Sequence, residues 1–421
     1  MKNLFHIFKK NSIQHSYMEY LFENEDSNKD ETKQISYLYS SRQIILNKIK
    51  PFDGKGIGYQ SNKYVHVVII GSDDLSLYLA RQAALICHYP NFNEEEKEPN
   101  RTIISIINPQ SNSWSDVENL KNNFERITGN LLTESIWSCY TSDKEWHSSK
   151  NKSFIDIEFK FIGLKQQELL LPIKNISNDG NAIVSIINNG YQLDKETESW
   201  LSTNTKHIYQ YYLVTSDDLK QNQKINVRKA QIVNMLYNTG THLKDICTSD
   251  IYEIKAYDTA ISTFCFHTTD DKIQAYWEQL KDPMLKLSNV FCADCLATKQ
   301  RSKTACGITN NQKIDGKILK RLANAEHTRW NVEKLILGYR TYNAEERYKD
   351  ELLFANTNKM KAERNRMKKE EKAHIDICSS EELIRIDPDN FKYDCFLTLA
   401  IDYIMSRDKL SKKAKHHINI L

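Results

Sequence analysis

The sequence contains no hydrophobic run that approaches the roughly 20 apolar residues of a membrane-spanning helix. Its longest apolar stretches, at 65–70 and 182–187, have the length of buried strands. The N-terminus, which begins Met-Lys-Asn-Leu-Phe, has neither an extended apolar region nor a small-residue cleavage site. We therefore expect no transmembrane segment and no secretory signal.

An excess of charge is also missing, since 58 Lys and Arg residues face 55 Asp and Glu residues, for a formal net charge of +3. Proteins dedicated to nucleic acids normally carry a basic excess, so stable nucleic-acid binding is not expected.

The nine cysteines are odd in number and scattered along the chain. That usage is typical of a reducing compartment rather than of a disulfide framework, and it predicts a cytoplasmic protein.

Common catalytic signatures are absent as well: there is no Walker sequence, no G-x-S-x-G and no H-E-x-x-H. The glycine-rich loop at 51–58 lacks the Gly-Lys-Ser/Thr ending of a phosphate-binding loop and is interpreted as a connector. Cys292 and Cys295 form one C-x-x-C pair, but neither a second pair nor suitably spaced histidines accompany it. We predict neither catalytic residues nor a metal site.

The chain of 421 residues is too long for one ordinary hydrophobic core. The changes in residue pattern divide it into four segments: a polar N-terminal leader (1–62), a Rossmann-like nucleotide-binding domain (63–220), a helical connecting region (221–312) and a C-terminal domain (313–421).

Strand-like segments of the second domain alternate with helical patterns and end in small polar residues. They lie at 65–70, 102–107, 154–162, 182–187 and 208–214. This alternation predicts an α/β fold with a doubly wound parallel sheet, whose ligands bind at the carboxyl ends of the strands.

The first strand leads into a turn that occupies the place of a dinucleotide-binding G-x-G-x-x-G sequence, and it reads Gly71-Ser72-Asp73-Asp74-Leu75-Ser76. Only the first glycine is present, and Asn108 replaces the acidic residue expected at the end of the second strand. One interpretation is a structural turn in which Asp73 caps the helix. The other is a nucleotide site formed by Gly71, Ser72, Asp73, Ser76 and Asn108, although ordinary NAD redox chemistry is not expected.

Residues 64–217 resemble, in architecture more than in motif, the nucleotide-binding N-terminal domain of potassium-uptake regulators. A more specific pattern lies further on, in Leu322-Ala323-Asn324-Ala325-Glu326-His327-Thr328-Arg329-Trp330 and the residues that follow. On a helix, His327, Trp330 and Lys334 share one face, and Gly338 is suited to end that helix.

This pattern resembles the ryanodine-receptor repeat, whose signature is L-A-x-x-x-H-x-x-W, seven residues, then G-[WY]. The second half of that repeat, K-x-H-P-x-L-x-x-Y-x-x-L, aligns without a gap from Lys372 to Leu383. Ile375 replaces the proline and Ser380 replaces the tyrosine. The resemblance covers about residues 314–405, and the stretch 287–302 resembles the link seen in bacterial proteins that join the two domain types.

The resemblance implies a small α+β domain that senses a ligand rather than catalyses a reaction. The ligand-binding residues it implies are His327, Arg329, Trp330, Lys334, Tyr339, Arg340, Lys372 and His374. Aromatic faces suit a base, arginine and lysine suit phosphates, and histidines suit hydrogen bonds. The alternative is that His327 and Trp330 belong to the packed core, while Arg329 and Arg340 are solvated surface.

Together these patterns predict a sensor of a nucleotide or nucleotide-derived signal in a bacterial antiviral or stress-signalling system. Such a sensor regulates a protein partner or effector, and a homo-oligomer is compatible with that role. The cofactor is unidentified beyond a nucleotide ligand. Two alternatives stay open: an enzyme acting on a nucleotide, either a hydrolase or a degenerate oxidoreductase, and a soluble regulatory subunit of an ion channel.

Overall fold

The computed structural model describes residues 29–148, 150, 152–204, 206–219, 227–308, 314–354 and 356–418, with side chains from 36 to 408 within those ranges. Seven strands lie in the first half: β1 (Tyr64–Ile70), β2 (Thr102–Asn108), β3 (Ile136–Tyr140), β4 (Glu145–His147), β5 (Ile157–Gly163), β6 (Ala182–Asn188) and β7 (Gln210–Leu213). The α-helices of this half are α1 (Lys29–Gln43), α2 (Asp74–Ile86), α3 (Trp114–Thr128), α4 (Leu131–Glu134), α5 (Leu170–Ser177) and α6 (Lys195–Thr203).

The strands form one sheet in the order β4-β3-β5-β2-β1-β6-β7. All neighbours are parallel except β3 and β4, which are antiparallel. One face packs against α2 and α3, and the other packs against α5 and α6. The doubly wound, Rossmann-like fold predicted from the sequence is confirmed.

The central strands are β-branched and buried on both faces, as parallel strands covered by helices require. Among the buried residues of β1, only His66 has an ionisable side chain. Its Nε2 lies 2.8 Å from the Ser105 Oγ. Burial lowers the pKa of His66 to about 3, helped by the charge of Lys160. His66 is therefore a neutral hydrogen-bonding residue of the core.

The second half of the predicted polar leader is part of the main hydrophobic core. Its buried apolar side chains are Leu38, Ile44, Ile45, Ile49, Phe52 and Ile57. The glycine-rich loop, interpreted as a connector, packs onto a long helix of the second half, because a Cβ on Gly56 would lie 2.3 Å from the Arg301 carbonyl oxygen. The Asp53 carboxylate accepts hydrogen bonds from the Arg301 guanidinium in the same contact.

The second half of the chain is largely helical. Its α-helices are α7 (Arg228–Thr239), α8 (Asp258–His267), α9 (Asp270–Gln279), α10 (Pro283–Ala305), α11 (Gly316–Ile336), α12 (Ala344–Leu352), α13 (Thr357–Glu370), α14 (Ser380–Ile386) and α15 (Pro388–Ile418). Within the described residues, β structure in this half is limited to one bridge between Arg340 and Ala373. No helix in the described ranges combines the length and apolar character that crossing a bilayer requires.

The two halves pack directly on each other. Leu335 and Ile336 at the end of α11, and Leu337 after it, lie in the same core cluster as α2 and α3. The Asn130 side chain donates to the Gly338 and Tyr339 carbonyl oxygens at 3.1 and 2.9 Å. The end of α11 is therefore fixed against the sheet domain.

Candidate functional site

Helix α11 carries the first half of the candidate site. It begins at the Asp315 cap, whose carboxylate accepts from the Ile318 N–H, and Gly338 follows its end with φ of +80°. The His327 and Trp330 rings stack with centroids 5.9 Å apart. The shared helix face predicted for these two residues is thus present.

The second half of the site reaches α11 through the bridge at Arg340. The Arg340 N–H donates to the Lys372 carbonyl oxygen, and the His374 N–H donates to the Arg340 carbonyl oxygen, at 2.8 and 2.9 Å. As a result the His374 ring centroid lies 5.0 Å from that of Trp330 and 6.1 Å from that of Tyr339. We call Trp330, Tyr339 and His374 the ring cluster.

His327 lies deeper than the ring cluster and is 2% exposed. Its Nε2 is 3.0 Å from the Cys378 carbonyl oxygen, which also accepts from the Asn331 side chain at 2.7 Å. Its Nδ1 is 3.5 Å from the Asp394 carboxylate. His327 therefore anchors the segment after α13 to α11 and α15, and it presents little surface to a ligand.

Positive charge gathers around the ring cluster. The pKa of His374 lies well below its ordinary value because the ring is buried and because Lys368 and Lys334 repel a further proton. Burial also raises the pKa of the neighbouring Asp376 to about 6. A neutral imidazole beside ammonium groups favours the approach of an anion.

Lys334 is held on the same face of α11. Its Nζ lies 5.4 Å from the Trp330 ring centroid, 2.7 Å from the Glu333 carboxylate and 3.3 Å from the Ser288 hydroxyl. Burial alone would raise the pKa of Glu333, but Lys334 and Arg329 lower it to about 2. Glu333 is thus ionised and fixes the Lys334 ammonium.

Arg329 points away from the ring cluster and is 1% exposed. Its guanidinium donates to Glu326 at 2.9 Å and to Glu333 at 2.7 Å. Lys299 of α10 pairs with the same oxygen of the Glu326 carboxylate. The structure places Arg329 in a buried ion network between helices, where its contact with a ligand would have to be indirect.

Arg340 and Lys372 flank the ring cluster through the backbone bridge. The half-buried Arg340 guanidinium donates twice to the Glu346 carboxylate, at 2.8 Å each. Lys372 has φ of +50°, an unusual conformation for a residue with a side chain, and burial lowers the pKa of its amine. Helix α13 ends at Glu370, so Lys372 and His374 lie in the segment that follows it.

The first βα turn lies away from the ring cluster, at the carboxyl ends of the neighbouring strands β1 and β6. Asp73 caps α2 by accepting from the Ser76 N–H at 2.9 Å and from the Ser76 hydroxyl at 2.8 Å. The Asn189 side chain donates to the Asp73 carboxylate at 2.6 Å and to the Ser76 hydroxyl at 3.0 Å. A carboxylate of the chain itself therefore occupies the helix N-terminus at which a phosphate would bind.

Space beside this turn is small. A Cβ on Gly71 would lie 2.1 Å from the Ser76 Oγ and 2.9 Å from the Tyr191 ring. The Ser72 N–H faces the Tyr191 hydroxyl at 3.5 Å. Asn108, at the end of β2, uses its side-chain oxygen to accept from the Gln110 N–H at 3.1 Å. These contacts supply a structural role for each predicted residue of the turn, and nucleotide binding there stays a prediction.

Sequence reasoning missed two contributors to these sites, Lys368 and Asn189. Lys368 sits in a Lys/Glu-rich helix that reads as a solvated face. Asn189 follows a buried strand, in the same way as the turn after β1, and that shared position was the available signal.

For metals, the described residues contain no group of three or more His, Cys, Asp and Glu side chains placed to hold an ion. All nine cysteines are unpaired.

The chain matches no protein-family model, no curated protein and no solved structure. The structure itself shows a parallel α/β sheet domain followed by a helical region. The likeness to the ryanodine-receptor repeat stays a resemblance of sequence.

Proposed function

We propose that this protein is a sensor that binds a nucleotide or nucleotide-derived ligand at the ring cluster and regulates a partner effector. The observation that carries the proposal is the meeting of Trp330, Tyr339 and His374 at a point where ammonium groups gather. Aromatic faces stack on bases, and ammonium groups attract phosphates. The ring cluster and the nearby ammonium groups can therefore bind the base and the phosphates of one nucleotide.

Each residue of the proposed site has a distinct role. The partly exposed rings of Trp330 and Tyr339 stack on the base. The exposed Lys368 and half-buried Lys372 meet the phosphates. His374, neutral at physiological pH because its pKa is lowered by burial and nearby cations, exchanges a single hydrogen bond with the ligand.

Arg329 serves this site as a positioning residue. It holds Glu333, and Glu333 holds the Lys334 ammonium over the Trp330 ring. The chain of contacts fixes the inner wall of the site before a ligand arrives, which reduces the entropy cost of binding. Arg340 has a similar supporting role, since Glu346 holds its guanidinium while its backbone aligns His374.

The contact with the sheet domain gives the ligand a route to the rest of the molecule. Asn130 donates to the carbonyl oxygens of Gly338 and Tyr339, next to the ring that stacks on the base. A ligand that shifts Tyr339 therefore acts on Asn130, which lies between the end of α3 and the start of α4. In this proposal the sensor works in the bacterial cytoplasm, in antiviral or stress signalling, as the sequence resemblance implies.

Calorimetric titration of the full chain with a panel of adenine and guanine nucleotides tests the proposal. Lys368→Glu should weaken the best ligand by about tenfold or more, because it reverses a charge beside the phosphates. Lys369→Glu is the matched control, since this exposed neighbour lies on another side of α13. Equal affinity in both variants, or no nucleotide bound by wild type, contradicts the site. Recovery of the ligand intact separates a sensor from an enzyme.

A further inference from the structure

Three of the six tryptophans lie together at the outer edge of the sheet, on α3, β3 and β4. The Trp137 and Trp146 rings meet edge to face with centroids 4.7 Å apart, and Trp114 lies 6.2 Å from Trp146. Trp146 is 42% exposed. We call these residues the tryptophan edge. Exposed aromatic groupings of this kind are typical of interaction sites.

The tryptophan edge already binds cations of its own chain. The Lys121 Nζ lies 4.8 Å from the Trp137 ring centroid and 5.9 Å from that of Trp146. The Lys144 Nζ lies 4.0 Å from the Trp114 centroid. These distances are within the range of cation–π attraction, and they show that the rings present their faces to ammonium groups.

Acidic side chains surround the tryptophan edge in excess. The same helix and hairpin carry three cations, Lys121, Arg126 and Lys144, and five carboxylates, Asp116, Glu118, Glu125, Asp143 and Glu145. On α3, Glu118 shares a face with Trp114 and Lys121 at spacings of four and three residues. An additional cation is therefore attracted, and a phosphate backbone is repelled.

Strand β4 is the last strand of the sheet on this side, so one row of its backbone groups has no strand beside it among the described residues. The Thr141 N–H donates to the Lys144 carbonyl oxygen, and the Ser148 N–H donates to that of Trp137. Because bonded pairs alternate in an antiparallel ladder, Trp146 bonds to β3 and the backbone groups of Glu145 and His147 point outward.

That alternation fixes what an added strand would present. In an added antiparallel strand, the residue opposite Trp146 would form a non-hydrogen-bonded pair with it, in which side chains approach most closely. Its side chain would lie on the face of the sheet that carries Trp146. A long cationic side chain at that position would reach the exposed part of the Trp146 ring and the surrounding carboxylates.

We propose that the tryptophan edge binds an extended segment of a partner protein, which adds to β4 as a further strand and places arginine or lysine opposite Trp146. Backbone hydrogen bonds to Glu145 and His147 give such a segment its affinity, and the rings and carboxylates select its charge. The site is separate from the ring cluster and uses none of its residues.

Titration of the full chain with a blocked hexapeptide of alternating valine and arginine tests this inference, with alternating valine and glutamate as the second probe. Wild type binds the arginine peptide and not the glutamate peptide. Trp146→Ala weakens binding at least about fivefold through loss of cation–π attraction. His147→Pro weakens it similarly, because proline removes an outward N–H yet is tolerated on an edge strand. Phe266→Ala, at a residue 81% exposed on α8, is the control and leaves binding unchanged.

Thermal melts of each variant confirm that the fold is intact. The inference is overturned if the glutamate peptide binds as tightly as the arginine peptide, or if Trp146→Ala and His147→Pro both bind like wild type. Deletion of residues 409–421, which are rich in lysine, provides a further arm. Tighter peptide binding after that deletion would show that this chain's own tail occupies the edge, and it would overturn the assignment to a partner.

Discussion

Replacing Glu333 by glutamine tests the buried ion network that supports the candidate site. Three cations (Arg329, Lys299 and Lys334) share two carboxylates, Glu326 and Glu333, and the carboxylates are at most 1% exposed. Glu333→Gln keeps the shape of the side chain but leaves three cations facing one carboxylate.

The expected loss of stability follows from the Glu333 pKa. Its fall from an ordinary 4.5 to about 2 in the fold corresponds to about 3 kcal/mol. Breaking a buried pair by removing one partner typically costs about 3–5 kcal/mol, in agreement. Arg329→Met should cost less, because Lys299 still pairs with Glu326 and Lys334 still pairs with Glu333.

Urea unfolding at several pH values measures these effects. A carboxyl with a lowered pKa stabilises the fold above its unfolded value of about 4.5, and the contribution is lost as the pH falls toward about 2. The difference in unfolding free energy between wild type and Glu333→Gln should therefore become smaller as the pH falls from about 4.5 to about 2. Glu345→Gln, which removes a well-exposed ion pair with Lys349, should change stability by less than about 0.5 kcal/mol. A loss below about 1 kcal/mol in Glu333→Gln, or a larger loss in Arg329→Met, would refute the reasoning.

Three further changes test the framework of the two sites. Gly71→Ala should lower the unfolding free energy by more than about 1 kcal/mol in urea, because the new Cβ would meet the Ser76 hydroxyl and the φ of +150° disfavours a side chain; an unchanged midpoint would contradict this close approach. Asp73→Ala should cost about 1 kcal/mol in the same assay through loss of the α2 cap, whereas no change would mean that water replaces the cap. Asn130→Ala should lower the unfolding free energy by about 1–3 kcal/mol and weaken nucleotide affinity, since two carbonyl oxygens at the end of α11 lose their donor. Thermal melts and calorimetry measure the two effects, and an unchanged affinity would show that the domain contact does not influence binding at the ring cluster.

The sheet core could be predicted from the sequence because its central strands are continuous apolar runs. β1, β2 and β6 begin and end within one residue of the segments at 65–70, 102–107 and 182–187. β3 and β4 were missed, since Ile136–Tyr140 is a half-exposed run of five residues and Glu145–His147 has three exposed residues. Short, half-exposed strands near the sheet edge lack the pattern that marks a buried strand.

Helix boundaries depended on local signals of unequal strength. Two helices stand close together here, because α9 ends at Gln279 and Asp282 caps a new helix in which Pro283 stands in the first turn. Proline in that position begins helices, so the break was readable from the sequence. The end of α13 before Lys372 had no comparable signal, because no glycine or proline follows it.

The part of the candidate site that lies on α11 could be predicted, because spacing along a helix determines which side chains are neighbours. His327, Trp330 and Lys334 share a face of α11 as expected, and His374 joins them through the bridge at Arg340. Lys368 could not be predicted, because its closeness to His374 arises only when α13 docks. The burial of Arg329 had no local signal either, since Lys299, one of its network partners, lies thirty residues earlier on α10.

Native mass spectrometry of the protein purified from its host tests the central claim most directly. Wild type is expected to carry an intact nucleotide or nucleotide-derived ligand, Lys369→Glu to retain it and Lys368→Glu to lose it. A nucleotide retained equally by Lys368→Glu, or a wild-type protein that carries none, would contradict a sensor whose ligand binds at Trp330, Tyr339 and His374.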